Sequence, residues 1–125
     1  MEHAVQGIDH VQLAAPPGCE EQARRFYGEV LGMAEIPKPE ALRARGGVWF
    51  RCGEHQLHIG VESPFLPARK AHPAIRVASV EALRARLQVF GIGFTGDDLL
   101  PGTARLYVND PFGNRLEFLE PLATD

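Results

Sequence analysis

Four polar side chains stand in stretches of this sequence that are otherwise apolar: His10, His58, His72 and Glu117. A carboxylate within an apolar strand is costly to bury unless something pairs with it. Three imidazoles and one carboxylate are a ligand set that zinc, nickel, cobalt, iron and manganese accept. The four residues are far apart in the sequence, so no local spacing rule supports the grouping. The grouping rests on a repeat within the chain, from which we predict that these side chains bind one divalent metal ion.

Each of these residues also has a simpler interpretation. His72 could be a strand-edge histidine that faces solvent, and His58 could cap an apolar pocket. Glu117 could form a surface ion pair with Arg105 or Arg115, an arrangement that is common and contributes little stability. A repeat within the chain favours the metal site over these alternatives.

The elements that would position the four residues occur twice, in two units of a single domain at residues 1–125. Module one covers residues 5–62 and module two covers residues 70–121. The elements are inferred from apolar residues that alternate in strands and recur with helical spacing between them. Module one is predicted to contain a strand at 7–13, a helix at 20–31, a short-strand passage at 33–39, a flexible segment at 40–46, and strands at 47–52 and 56–61. Module two is predicted to contain a strand at 71–77, a helix that begins after Ser79 and ends at Gly91, an extended piece at 92–96, and a final hairpin.

The two modules can be aligned residue by residue. His10 falls on His72, and Leu57-His58-Ile59 falls on Leu116-Glu117-Phe118. Each module then consists of a strand, a helix and three strands, a unit too small to bury its own sheet face. We therefore predict an α+β domain in which two βαβββ modules share one core.

The turn of the final hairpin is a distinctive stretch of the sequence. Pro111 after Asp110 forces a turn, because proline fixes φ and removes a hydrogen-bond donor. Gly113-Asn114 then supplies residues that tolerate positive φ. This turn leads directly into the strand that carries Glu117.

Composition limits the classes of function and location. The chain is 45% hydrophobic and 23% charged, as is usual for a globular protein, and its formal net charge is −3. This balance argues against a nucleic-acid or anionic-membrane partner, and no apolar run approaches membrane length. Two cysteines, Cys19 and Cys52, do not make a disulfide framework. We interpret them as reduced thiols of a cytoplasmic protein without a secretion signal.

Four further residues are candidates for contact with a small-molecule substrate. Gln12 shares strand parity with His10, and Trp49 and Tyr107 occupy matching places in the two modules. Aromatic residues in strands are more often core residues, which is the simpler alternative for this pair. Arg105 could hold a carboxylate or phosphonate, or could be a solvated strand residue.

The chain resembles members of the vicinal oxygen chelate superfamily, the glyoxalase / bleomycin resistance / extradiol dioxygenase group. The residues that carry the resemblance are Ile8-Asp9-His10-Val11, Phe26-Tyr27 leading to Val30-Leu31-Gly32-Met33, and Asp110-Pro111-Phe112-Gly113-Asn114 running into Leu116-Glu117. The match covers residues 5–121. It implies a cup-shaped mixed sheet with a metal at its base, and ligand positions at His10, His72 and Glu117, with the fourth at His58.

That fourth position departs from the glyoxalase I pattern, which has a carboxylate where this chain has His58. With neutral histidines, the +2 of a divalent cation and the −1 of Glu117 leave a site charge of +1. The change also removes the candidate base for a proton on a carbon next to a carbonyl. The resemblance therefore implies general metal chemistry, with lactoylglutathione lyase activity in the strict sense in question and Glu117 as a hypothetical catalytic base.

Four functions fit this interpretation. The first is a metal-dependent lyase, isomerase or epimerase that acts on a small 2-oxo or 2-hydroxy compound. The second is an iron(II) dioxygenase, because His10, His72 and Glu117 form a facial triad, although extradiol dioxygenases generally resemble four such modules. The third is a thiol transferase of the fosfomycin-resistance kind, which uses the same triad and a tyrosine placed like Tyr107. The fourth is a ligand-sequestering protein of the bleomycin-resistance kind, which typically lacks the ligand residues.

The resemblance also implies a homodimer, since modules of this group pair either within one chain or across two chains. The sequence leaves both pairings open. It also leaves open whether the metal is zinc, nickel, iron or manganese.

Overall fold

The computed structural model describes residues 1–123. Module one contains β1 His10–Ala15, α1 Glu20–Ala23 continued by a π-helix Arg24–Val30, β2 Glu35–Ile36, α2 Glu40–Arg43, β3 Val48–Cys52 and β4 His55–Val61. Module two contains β5 Ala74–Arg76, α3 Val80–Val89, β6 Thr95–Asp97, β7 Thr103–Asn109 and β8 Arg115–Pro121. Apart from the additional short helix α2, each module is the predicted βαβββ unit, and the α+β class is confirmed. The predicted domain end at residue 125 lies outside the described residues.

Each module forms its own four-stranded sheet, with the strand orders β1-β4-β3-β2 and β5-β8-β7-β6. In both sheets the first strand of the module runs parallel to the last, and the other neighbours are antiparallel. Trp49 is a cross-strand neighbour of His58, and Tyr107 is the corresponding neighbour of Glu117. The register therefore confirms the alignment of His58 with Glu117 and of Trp49 with Tyr107.

Three elements differ in extent from the sequence prediction. β1 begins at His10 rather than at residue 7, since its partner β4 begins at His55 and pairs Gln56 with His10. β5 is limited to Ala74–Arg76, because Pro73, the residue before it, has no N–H with which to continue the hydrogen bonds to β8. The segment 40–46, predicted to be flexible, contains α2, whose residues are good helix formers.

The core lies on one face of each sheet, where the helices pack. The most buried hydrophobic side chains are Ala15, Cys19, Ala23, Phe26, Tyr27, Val30, Val48, Phe50, Leu57, Ile59, Val80, Leu87, Leu106, Val108, Leu116 and Phe118. Successive strand residues point to opposite faces. Trp49, His58, Tyr107 and Glu117 therefore lie on the faces away from the helices.

The hairpin turn between β7 and β8 joins the two modules. The Asp110 amide donates to the Asn114 carbonyl at 2.8 Å, and Gly113 has a φ of +92°, as the turn prediction requires. The side-chain amide of Asn114 donates to the carbonyl oxygen of Ala14 in β1 at 2.7 Å. The hydroxyl of Tyr27 donates to Oδ2 of Asp110 at 2.6 Å. The start of β8 is thereby fixed against module one.

Cys19 and Cys52 are free thiols, and burial raises the pKa of both. In the part of the chain that the structure describes, no helix combines the length and the hydropathy needed to cross a membrane.

Candidate metal and substrate site

In module two, His72 and Glu117 form a close pair. Nε2 of His72 lies 3.0 Å from Oε1 of Glu117, and Nδ1 lies 2.7 Å from the carbonyl oxygen of Lys70. A carbonyl can only accept, so Nδ1 is the donor of that bond, and Nε2 is the ring nitrogen that faces Glu117. A cation bound by both side chains would lie between Nε2 of His72 and Oε1 of Glu117. Metal-binding histidines commonly donate their other N–H to a backbone carbonyl in this way.

Arg105 connects this pair to the edge strand β6. Its Nε and Nη2 donate to the two carboxylate oxygens of Asp97 at 2.7 and 3.1 Å, and its Nη1 lies 3.8 Å from Oε2 of Glu117. The bonds from Arg105 hold the pKa of the Asp97 carboxyl below its usual value. In this arrangement the guanidinium of Arg105 is engaged by two carboxylates and holds Glu117 in position.

Tyr107 contacts three polar groups of the same face. The guanidinium carbon of Arg115 lies 4.3 Å from the centroid of the Tyr107 ring, and that of Arg105 lies 5.5 Å away. The ring of His72 meets Tyr107 edge-on, with centroids 5.6 Å apart. An aromatic ring attracts a cation placed over its face, so Tyr107 helps to orient both arginines.

In module one, three rings are stacked. Trp49 and His58 have centroids 3.8 Å apart and planes 2° apart, and His58 and His10 have centroids 4.3 Å apart and planes 20° apart. Nε2 of His58 lies 2.9 Å from Oε1 of Gln56, and Nδ1 of His10 lies 2.9 Å from Oδ1 of Asp9. Burial, and then the neighbouring His10, lower the pKa of His58. This shift favours the neutral imidazole, the form that binds metals.

Gln12 lies beside this stack and occupies the space over a glycine. A Cβ on Gly60 would lie 2.6 Å from Nε2 of Gln12, so the absence of a side chain there makes room for the amide. Gln12, Gly60 and Trp49 line a cavity of about 270 Å³. Module one therefore offers an amide and an indole ring next to its two histidines.

The four predicted ligands come together in the structure as two pairs. His10 and His58 stack in module one, and His72 and Glu117 pair in module two. Among residues 1–123, no group of three or more His, Cys, Asp or Glu side chains is close enough to hold a metal ion. Imidazole nitrogens and a carboxylate oxygen suit a divalent metal. Within one chain, however, each pair supplies only two of the four predicted ligands.

Two residues of this site were not selected by sequence reasoning. Asp97 lies in the three-residue strand β6, and its bond to Arg105 depends on the register of β6 with β7. Arg115 enters the sequence interpretation only as a surface partner of Glu117. The alternation of residues in β8 could have identified Arg115 as a site residue, because it places Arg115 and Glu117 on the same face of the strand.

Comparisons with known proteins agree with this architecture. The family model of the Glyoxalase/Bleomycin resistance protein/Dioxygenase superfamily matches residues 7–118. A solved protein from Bacillus anthracis, described as a member of the glyoxalase family, is 55% identical, with a TM-score of 0.93 and coverage of 97% of this chain and 99% of that one. A search of the curated proteins gives no match.

More distant solved structures share the fold. The lactoylglutathione lyase from Agrobacterium tumefaciens is 23% identical, with a TM-score of 0.72 and coverage of 93% of this chain and 94% of that one. The fosfomycin resistance protein FosX from Listeria monocytogenes is 15% identical, with a TM-score of 0.76 and coverage of 94% of each chain. At these identities the likeness concerns the fold alone.

Proposed function

Because the chain belongs to the glyoxalase/bleomycin resistance protein/dioxygenase superfamily, we propose that it is a divalent-metal-dependent enzyme of the lyase or isomerase type. Its proposed substrate is a small oxygen-bearing molecule such as a 2-oxo or 2-hydroxy compound. The observation that carries the proposal is the pairing of His72 with Glu117 at 3.0 Å. Both cysteines are free, which supports a cytoplasmic location.

The burial of this pair supports a binding role. Glu117 is 8% exposed, and a buried carboxylate is unfavourable unless it is paired. The simpler interpretation of Glu117 as half of a surface ion pair leaves its burial unexplained, since surface pairs keep both groups in water. A divalent cation bound by His72 and Glu117 would pair the buried carboxylate and so account for its burial.

We further propose that a second copy of the chain completes the metal site. His72 and Glu117 supply two donors in module two, and His10 and His58 supply two more in module one. The side chain of His10 is 44% exposed and is therefore accessible to another molecule. In a symmetric dimer every contact occurs twice, so module one of each copy would face module two of the other. The candidate metals are zinc, nickel, iron and manganese.

The residues around the proposed metal centre have different proposed roles in the reaction. The metal, when bound, supplies Lewis-acid polarisation of a substrate oxygen. Glu117 is the one carboxylate of the ligand set and the candidate general base, and Arg105 holds it in position. Trp49 and Tyr107 supply flat apolar surfaces for the substrate, and Gln12 supplies an amide that can donate or accept a hydrogen bond.

Mixing two inactive variants tests the shared site. His10→Ala and Glu117→Ala each remove one donor, so each variant alone is expected to bind little metal. In a mixed dimer with shared sites, one site has lost both donors and the other has all four. An equal mixture, refolded together, should regain metal at about a quarter of all sites, since half of the dimers are mixed. The measurement is metal content per chain after reconstitution with zinc, nickel, manganese or anaerobic iron.

The controls separate the alternatives. His55→Ala, at the exposed start of β4, should keep the metal content of the parent. A parent that binds metal while the mixture regains none would place the site within one chain. A parent that binds no metal after reconstitution would contradict the enzyme proposal and favour a ligand-sequestering protein. Tightly bound iron that is lost on exposure to oxygen would favour a dioxygenase.

A further inference from the structure

Arg115 is a half-buried arginine whose charge has no anionic partner among residues 1–123. It is the first residue of β8, and its guanidinium carbon lies 4.3 Å from the centroid of the Tyr107 ring. Within residues 1–123 its guanidinium forms no ion pair and no hydrogen bond. Arg105 contacts the same ring, but Asp97 engages its donors. Of the two arginines at Tyr107, Arg115 is therefore the one whose guanidinium donors have no partner in the part of the chain that the structure describes.

Two cavities meet at Arg115. One, of about 660 Å³, is also lined by Tyr107 and Asn109, and the other, of about 420 Å³, is also lined by Asn109 and Arg69. No acidic residue of the described chain lines either cavity. Asn109 is the cross-strand neighbour of Arg115 and offers an amide donor beside the guanidinium. The charge of this region is therefore positive, which suits an anion.

We propose that Arg115, Asn109 and Arg69 form a subsite for an oxyanion, a carboxylate or a phosphate, carried by the substrate. A planar guanidinium presents two parallel N–H donors that match the two oxygens of such a group. The contact with the face of the Tyr107 ring helps to hold the guanidinium of Arg115 in place.

The position of the subsite narrows the substrate class, and this step rests on the proposed function. Arg115 and Glu117 are two residues apart on the same face of β8, a spacing of about 7 Å. A substrate that reaches both places carries its metal-binding oxygens and its anionic group at the two ends of a short carbon chain. Small 2-oxo or 2-hydroxy acids and their phosphate esters have this form.

Anion binding by the metal-free protein tests the subsite separately from the metal site. Inorganic phosphate and acetate are each titrated at constant ionic strength into protein treated with a chelator. Binding is followed by the chemical shifts of the backbone amides of β7 and β8. The parent should show saturable binding of at least one anion, and Arg115→Gln should weaken it about tenfold, the effect of losing a charge-assisted hydrogen bond. Comparison of the two anions shows whether a phosphate or a carboxylate is preferred.

Arg84→Gln is the matched control. Arg84 also lies over an aromatic ring, at 5.7 Å from Phe94, but on α3. Its substitution removes one charge and one arginine–aromatic contact, and it should leave anion binding unchanged. Arg69→Gln, at an exposed position, provides a second variant of the subsite that does not disturb packing, and it should weaken binding about threefold.

The outcomes decide between the proposals. Parent-like binding by Arg115→Gln, or no saturable binding by the parent, would overturn the subsite. Equal losses in Arg84→Gln and Arg115→Gln would also overturn it, because net charge alone would then explain the effect. If phosphate or acetate binds through Arg115 but the parent binds no metal after reconstitution, the subsite stands and the metal-dependent function fails.

Discussion

Replacement of Tyr27 by phenylalanine is predicted to lower the free energy of unfolding by about 2 kcal/mol. The side chain of Tyr27 is fully buried, and its hydroxyl donates to Oδ2 of Asp110 at 2.6 Å. Asp110 accepts three further hydrogen bonds, from the amide of Phe112 and from both nitrogens of Asn114, at 2.9, 2.8 and 2.9 Å. These four donors allow a carboxylate to be buried at the turn that precedes β8.

The size of the effect follows from what the variant keeps. Phenylalanine fills the same space, so the loss is one hydrogen bond to a charged acceptor, about 1.5–3 kcal/mol. Three donors remain on Asp110, so its carboxylate is not left unpaired, and the lower half of that range applies. Asp110→Asn should cost more, about 3 kcal/mol or above, because an amide nitrogen would meet the donors of Tyr27 or Asn114.

Urea unfolding at fixed protein concentration measures these differences. The costs of Tyr27→Phe and Asp110→Asn should not add in the double variant, because both changes break the same bond. Tyr107→Phe is the control, since the hydroxyl of Tyr107 makes no hydrogen bond to any residue of the described chain, and its free energy of unfolding should stay within about 0.5 kcal/mol of the parent. A value for Tyr27→Phe within that same margin would refute the reasoning.

The same contact predicts a dependence on pH. Burial, and then the charge of Asp110, hold the pKa of Tyr27 well above its usual value. The native state therefore keeps the phenol protonated where the unfolded chain loses its proton. The stability contributed by this group is complete below about pH 10 and falls as the pH rises further. Tyr27→Phe lacks this titration, so the difference between parent and variant should shrink above about pH 10.

Two further predictions concern the loop that leads into β3. Gly47→Ala should destabilise the protein by more than about 3 kcal/mol in urea unfolding, because Gly47 has a φ of +89° and a Cβ would lie 2.1 Å from the carbonyl oxygen of Ile59. Gly53→Ala, at a φ of +59° in open space, should lose about 1 kcal/mol, and an equal loss in both variants would contradict the steric argument. The Gly47 amide donates to the Glu20 carboxylate at 2.8 Å and holds the pKa of Glu20 below its usual value of 4.5. The stability that Glu20 contributes is therefore present above about pH 4.5 and is lost as the pH falls further. Glu20→Gln should therefore lose less stability than the parent as the pH falls below about 4.5. Glu21→Gln, at an exposed neighbouring position, is the control and should lose as much as the parent. Identical acid unfolding profiles for Glu20→Gln and the parent would contradict this account.

The repeat could be predicted from the sequence because strand register follows the apolar pattern. A shift of one residue would move every core side chain of β4 or β8 to the wrong face. The alternation around His58 and around Glu117 therefore sets their equivalence without knowledge of the fold. The extent of β5 was predicted less well, since the loss of one donor at Pro73 shortens a strand whose side-chain pattern continues.

The arrangement of the candidate site depends on contacts that no local pattern encodes. The sequence indicates that His10 is equivalent to His72 and that His58 is equivalent to Glu117, but equivalence within a repeat does not determine distance. Two separate four-stranded sheets can present their faces to one site or to two. The ion pair between Arg105 and Asp97 likewise depends on the pairing of β6 with β7. Because β6 has only three residues, it is too short to show a periodic pattern in the sequence.

The pair His10–His58 in module one and the pair His72–Glu117 in module two are equivalent in position but differ in charge. Module one presents the neutral ring of His58 where module two presents the carboxylate of Glu117, so a divalent ion bound by the proposed set would keep one positive charge. An anionic oxygen of the substrate would neutralise that charge. Arg115, two residues before Glu117 on the same strand face, attracts a second anionic group. A histidine rather than a carboxylate at position 58 therefore has two consequences. It removes a candidate base, and together with Arg115 it favours substrates that carry negative charge at both ends.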